Sequence, residues 1–190
     1  DQLVDIYDDV PGRHRIDHCE FPSDHAIERI CATKPFVTVQ PGYAWIDQRF
    51  LHGYERYLSA DQIARQVPLA RLAGVPLCGS SDSPVQSVDP FLQMRGMREF
   101  SVPEQSLSAY QALETYTVNG GAMLGERKGL LREGWEASFF TCEQNLLTCA
   151  PSDLEGLRAA GTWLHGKRYR PLPEGRGAFA RLLATRARKV

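Results

Sequence analysis

The feature that most constrains the fold is the alternation of short β-branched runs with helix-like patterns from residue 13 to residue 124. Extended runs at 13–18, 36–40 and 75–78 are each followed by apolar residues at helical spacing. Strands that alternate with helices in this way pack as right-handed parallel units. The sequence therefore predicts an α/β chain with three consecutive β/α units, too few strands for a closed eight-stranded barrel.

The helices of these units are predicted from their apolar spacing and from their start and stop residues. Their expected spans are about 1–10, 24–33, 59–73, 89–100 and 106–124.

The residue pattern changes after Gly125. From there on, short aromatic and β-branched runs are separated by glycine turns. Such runs are typical of strands in a small β unit. The predicted organisation is thus a β/α part at 1–125, a β part at 126–172, and a C-terminal helix or tail at 173–190 that is basic and has one apolar face.

Composition excludes several classes of partner. The net charge of −1 shows no basic nucleic-acid footprint. No apolar run approaches the roughly 20 residues of a membrane helix. The five cysteines match no zinc-ribbon or CxxC spacing, which indicates reduced thiols in a cytoplasmic protein.

Asp82 is the strongest catalytic candidate because it follows an apolar strand in a Gly-Ser-Ser-Asp-Ser-Pro turn. In β/α barrels the active site lies at this end of the strands. A carboxylate there can bind a cation and accept a proton from water. The structural alternative is that the Asp82 side chain only caps the following turn.

His18 is the second candidate because it ends the first strand at the same edge of the sheet. A neutral imidazole is a common zinc ligand, oriented by a neighbouring acceptor such as Asp17 or Glu20. The alternative is a histidine with only a structural hydrogen bond. His14 lies four residues earlier on the same predicted strand face, deeper in the sheet.

Substrate-binding candidates lie at and after the end of the second strand. Gln40 could reach a substrate amide, and Trp45 and Arg56 belong to a long aromatic loop that could line a pocket. The alternative for Gln40 is that it only caps the second strand. The alternative for the aromatic loop, which also contains Tyr43, is that it packs over the rim of the barrel.

The ordered motifs of this chain resemble the amidohydrolase superfamily, most closely the subgroup called amidohydrolase family 3 or YtcJ-like proteins. The segments that carry the resemblance are HRIDH (14–18), TVQPG (38–42), AGVPLCGSSDSPV (73–85), DPFLQM (89–94), YTVNGGAMLG (116–125), KGLLREGWEASFF (128–140) and RAAGTWLHGKRY (158–169). The resemblance implies the C-terminal part of a TIM-like β/α barrel, about strands six to eight, followed by part of a small β-sandwich.

The resemblance also implies a function. His18 and Asp82 match the metal-ligating histidine of strand six and the aspartate of strand eight, which contacts the metal and shuttles the proton. The implied enzyme is a metal-dependent hydrolase, with zinc as the expected metal. It would cleave carbon–nitrogen bonds of amides, formamides or cyclic amides through a metal-activated water.

The other metal ligands of the family, on strands one, four and five, have no counterpart in this chain. Two ligands are too few for a four-coordinate catalytic zinc. We therefore expect the chain alone to be inactive and to bind no stoichiometric metal. The alternative is a non-catalytic partial barrel that associates with another copy or with a missing N-terminal half through its open strand edges.

Overall fold

The structure is a computed structural model that describes residues 1–46, 51–64, 66–100 and 102–170. Its strands are β1 Arg15–Asp17, β2 Phe36–Val39, β3 Leu77–Gly79, β4 Phe139–Thr141, β5 Gly161–Leu164 and β6 Lys167–Arg168. Its α-helices are α1 Gln2–Asp9, α2 Asp24–Thr33, α3 Pro41–Ile46, α4 Leu51–Tyr54, α5 Ala60–Ala64, α6 Pro90–Arg98, α7 Ala109–Tyr116 and α8 Val118–Leu124. Short 3₁₀ turns lie at Pro103–Gln105 and Pro151–Leu154. Within the described ranges, no helix combines the length and the apolar character needed to cross a membrane.

The first sheet is parallel and has the order β1-β2-β3. Ile16, Val37 and Leu77 lie side by side in its register, and all three are buried. The predicted parallel β/α units are therefore present. Their assignment to strands six to eight of a barrel remains a prediction.

The prediction of α2 is correct because its boundaries are set locally. The Ser23 hydroxyl caps the helix by accepting a hydrogen bond from the Ala26 backbone N–H at 3.1 Å. Ala26, Ile27 and Ile30 form the buried face of the helix. The Asp89-Pro90 signal likewise begins α6 correctly, with the Asp89 carboxylate accepting from the Phe91 N–H at 3.0 Å.

The helix predicted at 59–73 is wrong after Ala64, where α5 ends. Val67 has a left-handed φ of 45°, and Pro68 follows it, so the helix cannot continue through this point. Leu69 and Leu72 are nevertheless fully buried. The apolar spacing in this segment reflects burial of turns against the core.

The single helix predicted at 106–124 is two helices, α7 and α8, with a break at Thr117. Thr117 has φ −123° and ψ −97°, and its hydroxyl donates to the Leu113 carbonyl at 2.8 Å. This local bond supports a turn in place of continuous helix.

The β part is an antiparallel sheet of order β4-β5-β6. The Phe139 and Trp163 rings stack across it at 4.8 Å. The prediction of further strands before Phe139 is wrong, since residues 126–138 form turns and loops. The domain boundaries at 125 and 172 remain predictions, and the C-terminal helix or tail predicted at 173–190 lies outside the described residues.

Buried glutamines join the loops that follow β2 and β3. Gln93 on α6 is 1% exposed, and its side-chain amide donates to Gln86 Oε1 and to the Ser87 carbonyl, both at 3.2 Å. Gln93 Oε1 accepts a hydrogen bond from the Gly42 backbone N–H at 3.0 Å. A Cβ at Gly42 would lie 1.8 Å from Gln86 Oε1, so a larger residue there would have to displace the Gln86 side chain. We refer to Gln93 with these partners as the Gln93 clamp.

Replacing Gln93 with Met keeps the side-chain length and removes all three hydrogen bonds. The buried Gly42 N–H and Gln86 Oε1 then lose their partners, which costs about 2 kcal/mol or more of unfolding free energy. Urea denaturation measures this change. The matched control is Gln2→Met on the exposed face of α1, expected within about 0.5 kcal/mol of the wild type. A Gln93→Met variant as stable as this control would contradict the role of the clamp.

Cys78 in the middle of β3 offers a chemical test of the sheet. Burial raises the pKa of its thiol from 9.0 to about 11, although the nearby Arg15 charge opposes the shift. At about pH 8 the native thiolate fraction is then roughly 100-fold below that of the unfolded chain. We expect iodoacetamide to modify Cys78 at least that much more slowly in native protein than in concentrated urea, as read by peptide mass spectrometry. Equal rates would show that β3 is exposed.

Candidate active site

The residues that follow the three parallel strands meet at one edge of the sheet. The His18 backbone N–H donates to the Thr38 carbonyl at 2.8 Å, and the Ser80 N–H donates to the Val39 carbonyl at 2.9 Å. Gln40 follows Val39 directly. The parallel pairing thus continues beyond the strands and brings the three following loops together, at the end where β/α proteins carry their active sites.

Asp82 lies in the loop after β3 and adopts a left-handed backbone with φ 51°. This conformation is uncommon for a residue other than glycine and needs support from its surroundings. Its backbone N–H donates to the Ser80 hydroxyl at 3.3 Å, and its carbonyl accepts from the Val85 N–H at 2.9 Å. The carboxylate accepts the Tyr43 hydroxyl at 2.9 Å through Oδ2. The described bond of the carboxylate is therefore to another loop and not a cap of its own turn.

His18 lies just after β1, which ends at Asp17. His18 and Cys19 have φ of 71° and 52°, so the alternation of a strand does not extend to them. His18 Nδ1 lies 3.4 Å from Glu20 Oε1, and the side chain is 46% exposed. A carboxylate beside one ring nitrogen orients the imidazole so that the other nitrogen can reach a ligand.

Tyr43 connects the two sequence-predicted residues. Its ring centroid lies 6.4 Å from that of His18, and its hydroxyl contacts Asp82. The sequence placed Tyr43 only in the aromatic loop, because its contact joins residues 39 positions apart. The proline and glycine that precede it mark a turn after β2, but they do not indicate its partner.

Gln40 is 4% exposed, and its Oε1 has no hydrogen-bond partner among the described residues. A buried acceptor without a partner costs about 1–3 kcal/mol, so such groups usually have an explanation such as a bound water or ligand. Gln40 lies between the loops that carry His18 and Asp82.

Of the other predicted residues, Arg56 and His14 have no described contact with this edge. Trp45 belongs to α3, but its side chain lies outside the described residues. Arg56 is exposed in the turn after α4, with no described contact to the site. His14 bonds to the Val10 carbonyl at 2.6 Å and stacks on Tyr7, which is a structural role at the start of β1.

This edge of the sheet carries a histidine nitrogen and a carboxylate oxygen, and both are common ligands of zinc. Within the part of the chain that the structure describes, however, no group of three or more His, Cys, Asp or Glu residues could hold a metal ion. Cys19, next to His18, is partly buried, and this burial raises the pKa of its thiol to about 11. The described residues alone do not complete a catalytic zinc site.

An apolar cavity of about 780 Å³ lies elsewhere, between helices α7 and α8 and the β4–β5 sheet. Its walls include Leu113, Leu146, Phe140 and Trp163, and none of His18, Gln40 or Asp82 lines it. This apolar cavity is thus separate from the polar edge of the first sheet.

Comparisons with known proteins agree with the motifs. The sequence profile of the amidohydrolase family matches residues 4–169. YtcJ of Bacillus subtilis (strain 168), an amidohydrolase by its description, is 25% identical over 174 residues, which cover 82% of this chain and 32% of YtcJ.

Solved structures show the same fold. An uncharacterised metal-dependent hydrolase from Pyrococcus furiosus superposes with a TM-score of 0.64 at 24% identity, over 71% of this chain and 29% of that protein. An adenosine deaminase from Xanthomonas campestris with bound zinc superposes with a TM-score of 0.60 at 20% identity, over 93% of this chain and 43% of that protein. The chain spans about a third of the length of the relatives it matches. Since the family profile covers most of its residues, the chain belongs to the amidohydrolase family, in the family 3 subgroup that its motifs indicated.

Proposed function

We propose that the protein carrying this chain is a metal-dependent hydrolase that cleaves a carbon–nitrogen bond of a small molecule: an amide, a formamide or a cyclic amide. The observation that carries the proposal is the convergence of His18 and Asp82, through Tyr43, at the carboxyl edge of a parallel sheet. The described relatives support it, since they include a metal-dependent hydrolase and a deaminase with bound zinc.

Each residue has a proposed role that its surroundings support. Asp82 accepts the proton of the attacking water and passes it to the leaving nitrogen. His18, oriented by Glu20, supplies a nitrogen donor for a divalent metal, which we propose to be zinc. A metal of this kind, when bound, polarises a carbonyl and lowers the pKa of its water. The remaining ligands would come from residues outside this chain.

Gln40 is the proposed substrate-binding residue. Its buried Oε1 lacks a partner among the described residues, and an amide N–H would satisfy it. Trp45 and Arg56 remain predictions as substrate contacts. The five cysteines are free, in keeping with the proposed cytoplasmic location.

Replacing Asp82 with Asn removes the proton acceptor and keeps the shape of the side chain. In the longer protein that contains this chain, loaded with zinc, we expect turnover to fall roughly 100-fold or more. The assay follows release of 4-nitroaniline from 4-nitroacetanilide, alongside a screen of N-acyl and N-formyl amines. Asp9→Asn, an exposed site on α1, is the control and should retain full activity. Unchanged turnover in Asp82→Asn would refute the proposed role of Asp82.

A second candidate is that this chain alone is a non-catalytic partial barrel that associates with another copy or with a missing half. Leu131 is 81% exposed beside the apolar cavity, where partly exposed leucines cluster. In the described part of the chain, β1 and β3 each pair with a strand on one side only. Exposed apolar surface and open strand edges favour association. Light scattering that shows a stable monomer would exclude this candidate.

We expect the chain alone and the longer protein to differ in the amount of zinc that they retain. With one nitrogen and one oxygen donor among the described residues, the chain alone should hold no stoichiometric zinc after dialysis against a mild chelator. Elemental analysis measures the zinc-to-protein ratio, with the longer protein expected to retain zinc under the same treatment. One tightly held zinc per chain would mean that further ligands exist and that the proposed donor set is wrong.

A further inference from the structure

Tyr43 occupies a position between the two proposed functional side chains. Its hydroxyl donates to Asp82 Oδ2 at 2.9 Å, and its ring lies 6.4 Å from the His18 ring. It is carried on the first turn of α3, in the loop after β2. Its hydroxyl therefore crosses from the second loop of the site to the third.

Two backbone hydrogen bonds anchor the chain at Gly42 and Tyr43. The Tyr43 N–H donates to the Gln40 carbonyl at 3.1 Å, and the adjacent Gly42 N–H donates to Gln93. Gln93 also holds Gln86, four residues beyond Asp82. The same buried side chain thus fixes the start of α3 and the loop that carries Asp82, so the distance between the Tyr43 hydroxyl and the carboxylate is set by the fold.

The hydrogen bond from Tyr43 restricts how the Asp82 carboxylate can move. A hydroxyl that donates to a carboxylate makes a charge-assisted hydrogen bond, a class that is generally stronger than a bond between neutral groups. With Oδ2 engaged by Tyr43, rotation of the carboxylate is restricted and the two oxygens are no longer equivalent. The contact also supports the left-handed backbone of Asp82, which has a φ of 51°.

We infer that Tyr43 is a positioning residue for Asp82: it holds Oδ2 so that the other carboxylate oxygen faces the reacting water. The inference rests on the proposed function, because it assigns Tyr43 a purpose only if Asp82 takes part in the reaction. No bond to Tyr43 forms or breaks in this role.

The contact itself is tested on the chain as it stands, without metal or substrate. Carbon-13 labelling of aspartate carboxyls gives one resonance for Asp82, identified by its loss in Asp82→Asn. Tyr43→Phe removes only the hydroxyl and should move this resonance clearly at neutral pH, with the melting temperature changed by less than about 3 °C. Tyr57→Phe is the control, since Tyr57 is 84% exposed, and should leave the resonance in place.

The role is tested in the longer zinc-loaded protein with 4-nitroacetanilide. Partners that orient a functional side chain typically contribute about 10–100-fold. We expect Tyr43→Phe to lower kcat by roughly 10-fold or more with KM nearly unchanged, and Tyr57→Phe to match the wild type. A shifted Asp82 resonance together with the lower kcat supports the inference.

Three outcomes would overturn it: an unmoved resonance, an unchanged kcat, or a loss of activity that follows a large fall in melting temperature. Asp82→Asn separates this inference from the proposed function. If Asp82→Asn loses turnover while Tyr43→Phe retains it, only the role of Tyr43 fails. If Asp82→Asn retains turnover, the proposed function fails and the inference fails with it, whatever the resonance shows.

Discussion

Parallel pairing of β2 with both of its neighbours is the constraint on which the rest of the structure depends. Because the three strands run the same way, their following loops lie at one edge, and backbone bonds from His18 and Ser80 extend the pairing into those loops. The Gln93 clamp then joins the second loop to the third through hydrogen bonds. The site residues are thus positioned by backbone pairing and one buried amide, and the described core contributes mainly by burying Val37 and Val39 of β2.

The parts of the fold that the sequence predicts correctly are those with local causes. Ser23 and Asp89 cap α2 and α6 through bonds to residues two or three positions away, so their starts are visible in the sequence. The breaks at Val67 and Thr117 were missed because apolar spacing continues through both, and burial alone does not distinguish a helix from a packed turn.

The site was only partly visible in the sequence. Asp82 and His18 were accessible because strand ends and turn residues mark their positions. The Tyr43–Asp82 contact is tertiary, and the left-handed backbone of His18 and Cys19 contradicts simple strand alternation. The Gln40 oxygen, which has no hydrogen-bond partner among the described residues, can be recognised only once its burial is known. The relatives are longer than this chain, and we propose that His18 and Asp82 form one side of an active site.

The most direct test of this account is a crystal structure of the longer protein with zinc, with the metal located by its anomalous scattering. The account predicts one zinc ion bound by both a His18 ring nitrogen and an Asp82 carboxylate oxygen, at about 2.0–2.2 Å from each. A zinc ion bound by other residues, with His18 and Asp82 directed away from it, would contradict the central claim that these two residues belong to one metal centre.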